Sequence, residues 1–361
     1  MAAPITVTRT FLPPIEEYTA LLRQVWERGQ ITNHGEFVRE LEGSLAAYFG
    51  VPQVLFASNG TITLQLAIRA LDLKGEIITT PYSYVASTTT ILWERCTPIF
   101  TDIDPLTFNI DPKKIEARIS KSTSAILATH VYGLPCEVEA IQAIADRHGL
   151  KVIYDAAHAF GTNHMGRSIM QHGDVSSCSF HATKLFHTVE GGALIASNEQ
   201  LMEKLKLMRS FGHVKDEHFI MGINAKNSEL HAAMGLVVLR HFSDILARRR
   251  HQWQQYAAAL SSSGLQKAMI PADTDYNHAY FPLVLNTEGH LFRVMDALAA
   301  IDVFPRRYFF PALSTLPYLP VTGGCPIAED IAHRVICLPL FHDLPNAMID
   351  RIAEAILKIP G

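Results

Sequence analysis

Cysteine is scarce in this chain and poorly placed for pairing. The five residues, Cys96, Cys136, Cys178, Cys325 and Cys337, are scattered and odd in number. That excludes a disulfide framework and points to reduced, buried thiols of a cytoplasmic protein. No apolar run approaches the length of a membrane span. Met1 to Pro14 lacks a basic start followed by an apolar stretch, so no secretory signal is expected. Basic charge is not in excess: 31 Lys and Arg stand against 35 Asp and Glu, a formal net charge of −4. Nucleic acid therefore finds no electrostatic footprint. The 17 histidines include no HxxxH or Cys/His cluster with zinc spacing, and no metal site is expected. Repeats, low-complexity tracts and long linkers are also missing.

What is present is a chain of 361 residues, 48% apolar and 18% charged, an ordinary globular composition with room for two domains. Helical spacing marks residues 15–28 and Phe37 to Phe49, the latter ending at Gly50. Short apolar runs then alternate with helical patterns. Strands are expected at 53–57, 76–80, 98–102, 124–129, 151–154, 176–180 and 193–196, with helices at 61–71, 84–94, 112–117 and 138–148. Such alternation predicts an α/β fold, a mainly parallel sheet flanked by helices. From Ser228 to about Ser262 one long helix, unbroken or interrupted, is expected, and beyond it a smaller α+β unit with a strand near 279–285 and helices near 291–300 and 347–359. The expected division is a large domain over 1–240 and a small C-terminal one over 241–361.

Four segments carry chemistry, each at the end of an expected strand. Ser58-Asn59-Gly60-Thr61 opens a helix, where free backbone N–H groups and the helix dipole suit a phosphate; the same residues also suit an ordinary capped helix start. Pro81-Tyr82-Ser83-Tyr84 places an aromatic where it could stack on a planar cofactor or pack in a core. Asp155 closes the run Val152-Ile153-Tyr154, at the edge where open α/β sheets bind ligands, with His158 three residues on. Ser179 and Lys184 follow, ahead of the pair Gly191-Gly192. A strand-end carboxylate followed by a lysine in a small, polar turn is what pyridoxal phosphate chemistry needs. The acid keeps the pyridine nitrogen protonated and the amine forms a Schiff base with the aldehyde.

Asn59-Gly60-Thr61, Asp155-Ala156-Ala157-His158, Ser179-Phe180-His181-Ala182-Thr183-Lys184, Glu190-Gly191-Gly192 and Gly222-Ile223-Asn224-Ala225-Lys226 together resemble the DegT/StrS-type sugar aminotransferases, pyridoxal phosphate enzymes of fold type I. The resemblance runs over nearly the whole chain. It implies that Lys184 is the cofactor lysine and proton shuttle, Asp155 the partner of the pyridine nitrogen and Tyr84 the stacking aromatic. Gly60, Thr61 and Ser179 would hold the phosphate, with Ile62 also among the cofactor-binding residues. Asn224 would reach the phosphate of a neighbouring subunit, which implies a homodimer with shared sites. The chain departs from the pattern twice. His158 replaces a common glutamine and brings a charge that could respond to pH. Lys226 falls where the family's Gly-Asn-x-Arg pattern would have led to an arginine.

Some relatives carry histidine in place of the lysine and act as sugar dehydratases; Lys184 favours transamination. The implied reaction moves an amino group from L-glutamate to a nucleotide-linked keto-deoxysugar, with dTDP-4-keto-6-deoxy-D-glucose as the acceptor. Alternatives are a 3-keto or UDP-linked sugar, a dehydratase, or a regulatory protein on the same fold. Cationic and aromatic groups near the dimer cleft are candidates for holding the sugar nucleotide: Trp26, His187, Lys226, Arg306 and Tyr308.

Overall fold

In a computed structural model that describes residues 4–319 and 324–361, the central element is a seven-stranded sheet. Its order is Leu55–Ala57, Gly192–Ala196, Val175–Ser179, Lys151–Asp155, Thr123–Thr129, Glu76–Thr79 and Thr97–Phe100. The strands are the apolar runs expected, within a few residues. Lys151–Asp155, Thr123–Thr129, Glu76–Thr79 and Thr97–Phe100 pair in parallel. Gly192–Ala196 runs antiparallel to both of its neighbours, so the sheet is mixed. The physical reason is the connection before it: residues 180–191 contain no helix to carry a parallel crossover.

The helices Gly60–Ala70, Val85–Trp93 and Val138–His148 lie near their expected bounds, and Glu199–Arg209, capped by Asn198, adds one not foreseen. The sheet's two faces are covered by separate apolar clusters. Phe37, Leu41, Phe160, Phe180 and Phe186 belong to one; Leu64, Ile68, Ile77, Leu127 and Leu205 belong to the other. The parallel strands are thereby buried on both faces.

The long helix expected from Ser228 is two, Glu229–Arg240 and Phe242–Ala259, bent by 58° at His241. His241 has φ −94° and ψ 2°, and its ring packs on Phe11 while Nε2 meets Glu17 at 3.0 Å. Neither Gly nor Pro marks the break, so the sequence left its position open. A three-stranded antiparallel sheet follows, Gln266–Lys267, Phe281–Val284 and Val335–Leu338, with helices Glu288–Ala299, Pro326–Arg334 and Asn346–Leu357. The chain's first strand joins this end: Ile5–Thr6 pairs in parallel with Val303–Phe304. Among the described residues no single helix is long and apolar enough to cross a membrane.

Candidate active site

Five connections leave the same edge of the large sheet, after Ala57, Thr79, Thr129, Asp155 and Ser179. They enclose a cleft of about 340 Å³, closed on the far side by Arg306, Tyr308 and Phe309. Gly60, Thr61, Tyr84, Asp155, His158, Ser179, Lys184, Arg306 and Tyr308 all line it, though up to 248 residues separate them in sequence.

At one end the helix Gly60–Ala70 points its N-terminus inward. Asn59 caps it by accepting the Ile62 amide at 2.8 Å, which leaves the amides of Gly60 and Thr61 without intrahelical partners. Gly60 packs against Ser179, where a Cβ would meet the serine Cβ at 2.7 Å. A Cβ on Gly192 would meet the Asn59 carbonyl at 2.7 Å. The two glycines therefore let three chain segments close around a small anion-sized cradle. Ile62 departs from its expected place: its amide is taken by Asn59 and its side chain packs on the core, outside the cleft.

Asp155 lines the same cleft. Its Oδ2 accepts from Ser87 Oγ at 2.6 Å and its Oδ1 from the Ala157 amide at 3.1 Å. Burial raises this carboxyl above its ordinary 3.8, opposed by those two hydrogen bonds and by the charge of Lys184. His158 is buried, stacks on Phe309 with centroids 5.4 Å apart, and has an unpartnered Nδ1. Burial, with Lys184 nearby, lowers its pKa well below 6.5. Burial thus works against a charge on this histidine and favours the neutral ring, a hydrogen-bond donor or acceptor.

Lys184 is presented by a loop that folds on itself. Phe180 accepts from Thr188 N and donates to Gly191 O, and Lys184 N donates to His181 O. Phe180 and Phe186 anchor the loop in the core, with centroids 4.9 Å apart, and the lysine between them is turned toward the cleft. Desolvation brings its amine down from 10.5 to about 8. Asp155 and Cys178 pull the value up, and Arg306 pushes it further down. Tyr84 ends the strand-to-helix turn, is 57% exposed as a residue and lines the cleft, where it could cover a planar ligand. Arg306 sits over the Tyr308 ring at 4.8 Å, and Tyr308 O accepts from the buried Tyr132 hydroxyl at 2.8 Å, which ties this wall to the large sheet.

Four expected residues lie elsewhere. His187 is buried and structural: its Nε2 bonds Phe11 O at 2.7 Å and its Nδ1 accepts from Val189 N, holding a turn in which Val189 has φ +68°. It is a correction, because a ring committed at both nitrogens and walled from the cleft has nothing left for a substrate. Trp26 projects from the helix Ile15–Arg28, 68% exposed. Asn224 is exposed and Lys226 lies over the Phe211 ring at 5.3 Å. None of these four lines the chain's own cleft. Ser87, Ser83 and Thr129 were not singled out, since serine and threonine at a strand end or helix start read as caps.

A cradle of free amides and a hydroxyl, a carboxylate and a lysine, all lining one cleft, fit pyridoxal phosphate, which has an anionic arm, a ring nitrogen and an aldehyde. The unpartnered His158 Nδ1 offers a further polar contact.

The sequence pattern of the DegT/DnrJ/EryC1/StrS aminotransferase family matches residues 14–357. A dTDP-4-amino-4,6-dideoxy-D-glucose transaminase from Shigella dysenteriae is 40% identical over 366 aligned residues, covering 99% of this chain and 100% of its own. A transaminase of the same name from Escherichia coli is 37% identical over 364 residues, covering 98% of each. Among solved structures, DesI, crystallised in the presence of its TDP-sugar product, superposes with a TM-score of 0.93 at 32% identity, over 99% of this chain and 93% of that one. The chain belongs to the DegT/DnrJ/EryC1/StrS aminotransferase family and is a pyridoxal-phosphate-dependent sugar aminotransferase.

Proposed function

We propose that this enzyme takes an amino group from L-glutamate and delivers it to dTDP-4-keto-6-deoxy-D-glucose, forming dTDP-4-amino-4,6-dideoxy-D-glucose. The observation that carries the chemistry is a desolvated Lys184 facing Asp155 across one cleft. The choice of acceptor follows the names of the two transaminases that match this chain end to end.

When bound, pyridoxal phosphate supplies the electron sink for breaking a C–H bond beside nitrogen. Gly60 and Thr61 amides and the Ser179 hydroxyl would hold its phosphate. Asp155 would pair with the ring nitrogen and keep it protonated. Tyr84 would cover one ring face, and His158 would bond the phenolic oxygen. Lys184 would move one proton in each half-reaction: its amine, brought down to about 8 by burial, would accept one from the donor's Cα and give it to the cofactor in the first, and would take one back and give it to the sugar carbon in the second. Phe309 and Tyr308, held by Tyr132, exclude water from this wall. Arg306, on the same wall, offers the substrate a cation.

The same proposal makes the enzyme a homodimer with shared sites. Supporting it, the segment that carries Asn224 and Lys226 also carries exposed Phe211, Val214, Phe219, Met221 and Ile223, an apolar surface suited to a second copy. Asn224, Lys226 and Trp26 then serve the partner's cleft rather than their own. The division into 1–240 and 241–361 belongs to this proposal too, with Ile5–Thr6 reaching across it.

The test is the absorbance of the cofactor-loaded protein with glutamate added, followed by mass spectrometry of the sugar nucleotide. A band near roughly 410 nm that moves toward about 330 nm, with one 2-oxoglutarate released per amino sugar formed, is expected. Indifference of the band to glutamate, or turnover by Lys184→Ala, would sink the proposal. Turnover with only a 3-keto or UDP-linked sugar would replace the acceptor.

A further inference from the structure

Behind Asp155 runs a row of hydroxyls to which the reaction above gives no part. Ser87 Oγ donates to Asp155 Oδ2 at 2.6 Å, Ser83 Oγ lies 2.7 Å from Ser87 Oγ, and Thr129 Oγ1 lies 3.0 Å from Ser83 Oγ. All four residues are buried, Ser87 completely. Three elements supply them. Thr129 and Asp155 are paired residues on adjacent parallel strands, and Ser83 and Ser87 lie one turn apart at the start of the helix Val85–Trp93.

The direction of this row follows from counting hydrogens. Each hydroxyl has one to give. With Asp155 ionised, Ser87 commits its hydrogen to the carboxylate. The hydrogen in the next bond must then come from Ser83, and that in the last from Thr129. The donors therefore run Thr129 to Ser83 to Ser87 to Asp155, and bonds aligned head to tail strengthen one another. A proton on Asp155 Oδ2 would have to be donated to Ser87 and would turn every bond of the row round, leaving the hydrogen of the buried Thr129 hydroxyl with no acceptor in the row, so the row favours the carboxylate. Ser87 does not line the cleft, and whatever it does for the reaction passes through Asp155.

We propose that Ser87, backed by Ser83 and Thr129, is a positioning residue that keeps Asp155 ionised and turned with its free lone pairs toward the ring nitrogen of the bound cofactor. This rests on the pairing of Asp155 with that nitrogen proposed above. The opposing influence is burial, which drives the carboxyl upward; Lys184 and the Ala157 amide act with Ser87 against it. The titratable groups around Asp155 are Lys184 on the loop, Cys178 on the neighbouring strand and His158 on the following turn. Burial raises Cys178 to a value that keeps it a neutral thiol and lowers His158 so that it stays uncharged. Among these groups only Lys184 changes charge near neutral pH, which leaves Ser87 and the Ala157 amide as the constant supports, Ser87 the larger.

The experiment loads the protein with pyridoxal phosphate labelled with ¹⁵N in the ring and follows that nitrogen's chemical shift from roughly pH 6 to 9. In the unsubstituted enzyme the nitrogen stays protonated throughout. In Ser87→Ala it loses its proton within the range, and the cofactor dissociation constant rises about tenfold. Ser83→Ala moves both in the same direction by less, and Ser87→Thr restores them. Ser83→Ala and Ser87→Thr keep the question open to refutation should Ser87→Ala fail to fold. Wild-type protonation in both alanine variants, or a threonine variant as damaged as the alanine, overturns the proposal. Asp155→Asn separates the two levels. If it also leaves the nitrogen protonated, the Asp155 pairing is wrong; if it alone removes the proton, only the hydroxyl row is wrong.

Discussion

Below about pH 8 the Lys184 amine of the cofactor-free protein is protonated, and a protonated amine cannot attack an aldehyde. Its pKa is depressed from 10.5, so the unfolded chain holds this proton more tightly than the folded one. The destabilisation from burying the charge is therefore complete below about pH 8 and disappears as the pH rises from there to 10.5. Stopped-flow measurement of cofactor uptake is expected to show a rate that climbs about tenfold per pH unit toward pH 8 and then levels. A plateau already reached at pH 6 would contradict it. Lys184→Ala is expected to lower transfer by at least about a thousandfold while leaving phosphate-end binding measurable. Lys184 and Asp155 were legible as residues because each is an ionisable group after an apolar strand. The places of Ile62 and His187 are not legible in the sequence, because which neighbour claims an amide or a ring nitrogen is a matter of packing.

Elements are joined by one carboxylate in an unusual position. Glu229 opens the helix Glu229–Arg240, is fully buried, and accepts the amides of Phe37 and Val38 at 2.9 Å each. It thus caps a second helix, Glu36–Phe49, whose own N-cap, Gly35, offers no side chain. Gly35 is required there, since a Cβ would meet the Glu229 carboxyl carbon at 2.4 Å. Arg28 lies 3.9 Å away and balances the charge. Glu229→Ala is expected to destabilise the fold by about 2–4 kcal/mol, through two orphaned amides and a cavity, as read by urea unfolding at constant m-value. Glu229→Gln should cost less, because its amide oxygen still accepts. A loss below about 0.5 kcal/mol for the alanine variant would show that water replaces the cap. The sequence showed both helices by their spacing, but not that one terminates the other.

For the whole molecule the test is whether one chain completes another's site. Asn224 and Lys184 belong to different clefts in the proposed dimer. Lys184→Ala and Asn224→Ala homodimers are each expected to be impaired, the first fully and the second by about tenfold or more. Mixed after denaturation and renaturation, they form heterodimers in which one cleft has both residues intact, so activity should recover to a quarter of wild type for an equal mixture in which only half the dimers are mixed and each has one good site. No recovery beyond the sum of the parents, in a sample shown to contain heterodimers by mass, would place Asn224 in its own subunit's service. Sedimentation should give twice the chain mass.

By itself the sequence determined the alternation of strands and helices, and it put Asp155, Ser179 and Lys184 at the strand ends that line one cleft. These are local signals: apolar runs with a period, and polar groups at their ends. Only the tertiary structure decided the reversed strand Gly192–Ala196, the bend at His241, the pairing of Ile5–Thr6 with Val303–Phe304, and the hydroxyl row behind Asp155. Each depends on groups far apart in the chain meeting at hydrogen-bond distance, and side-chain periodicity holds no record of which distant partner a strand edge, a helix end or a hydroxyl will find.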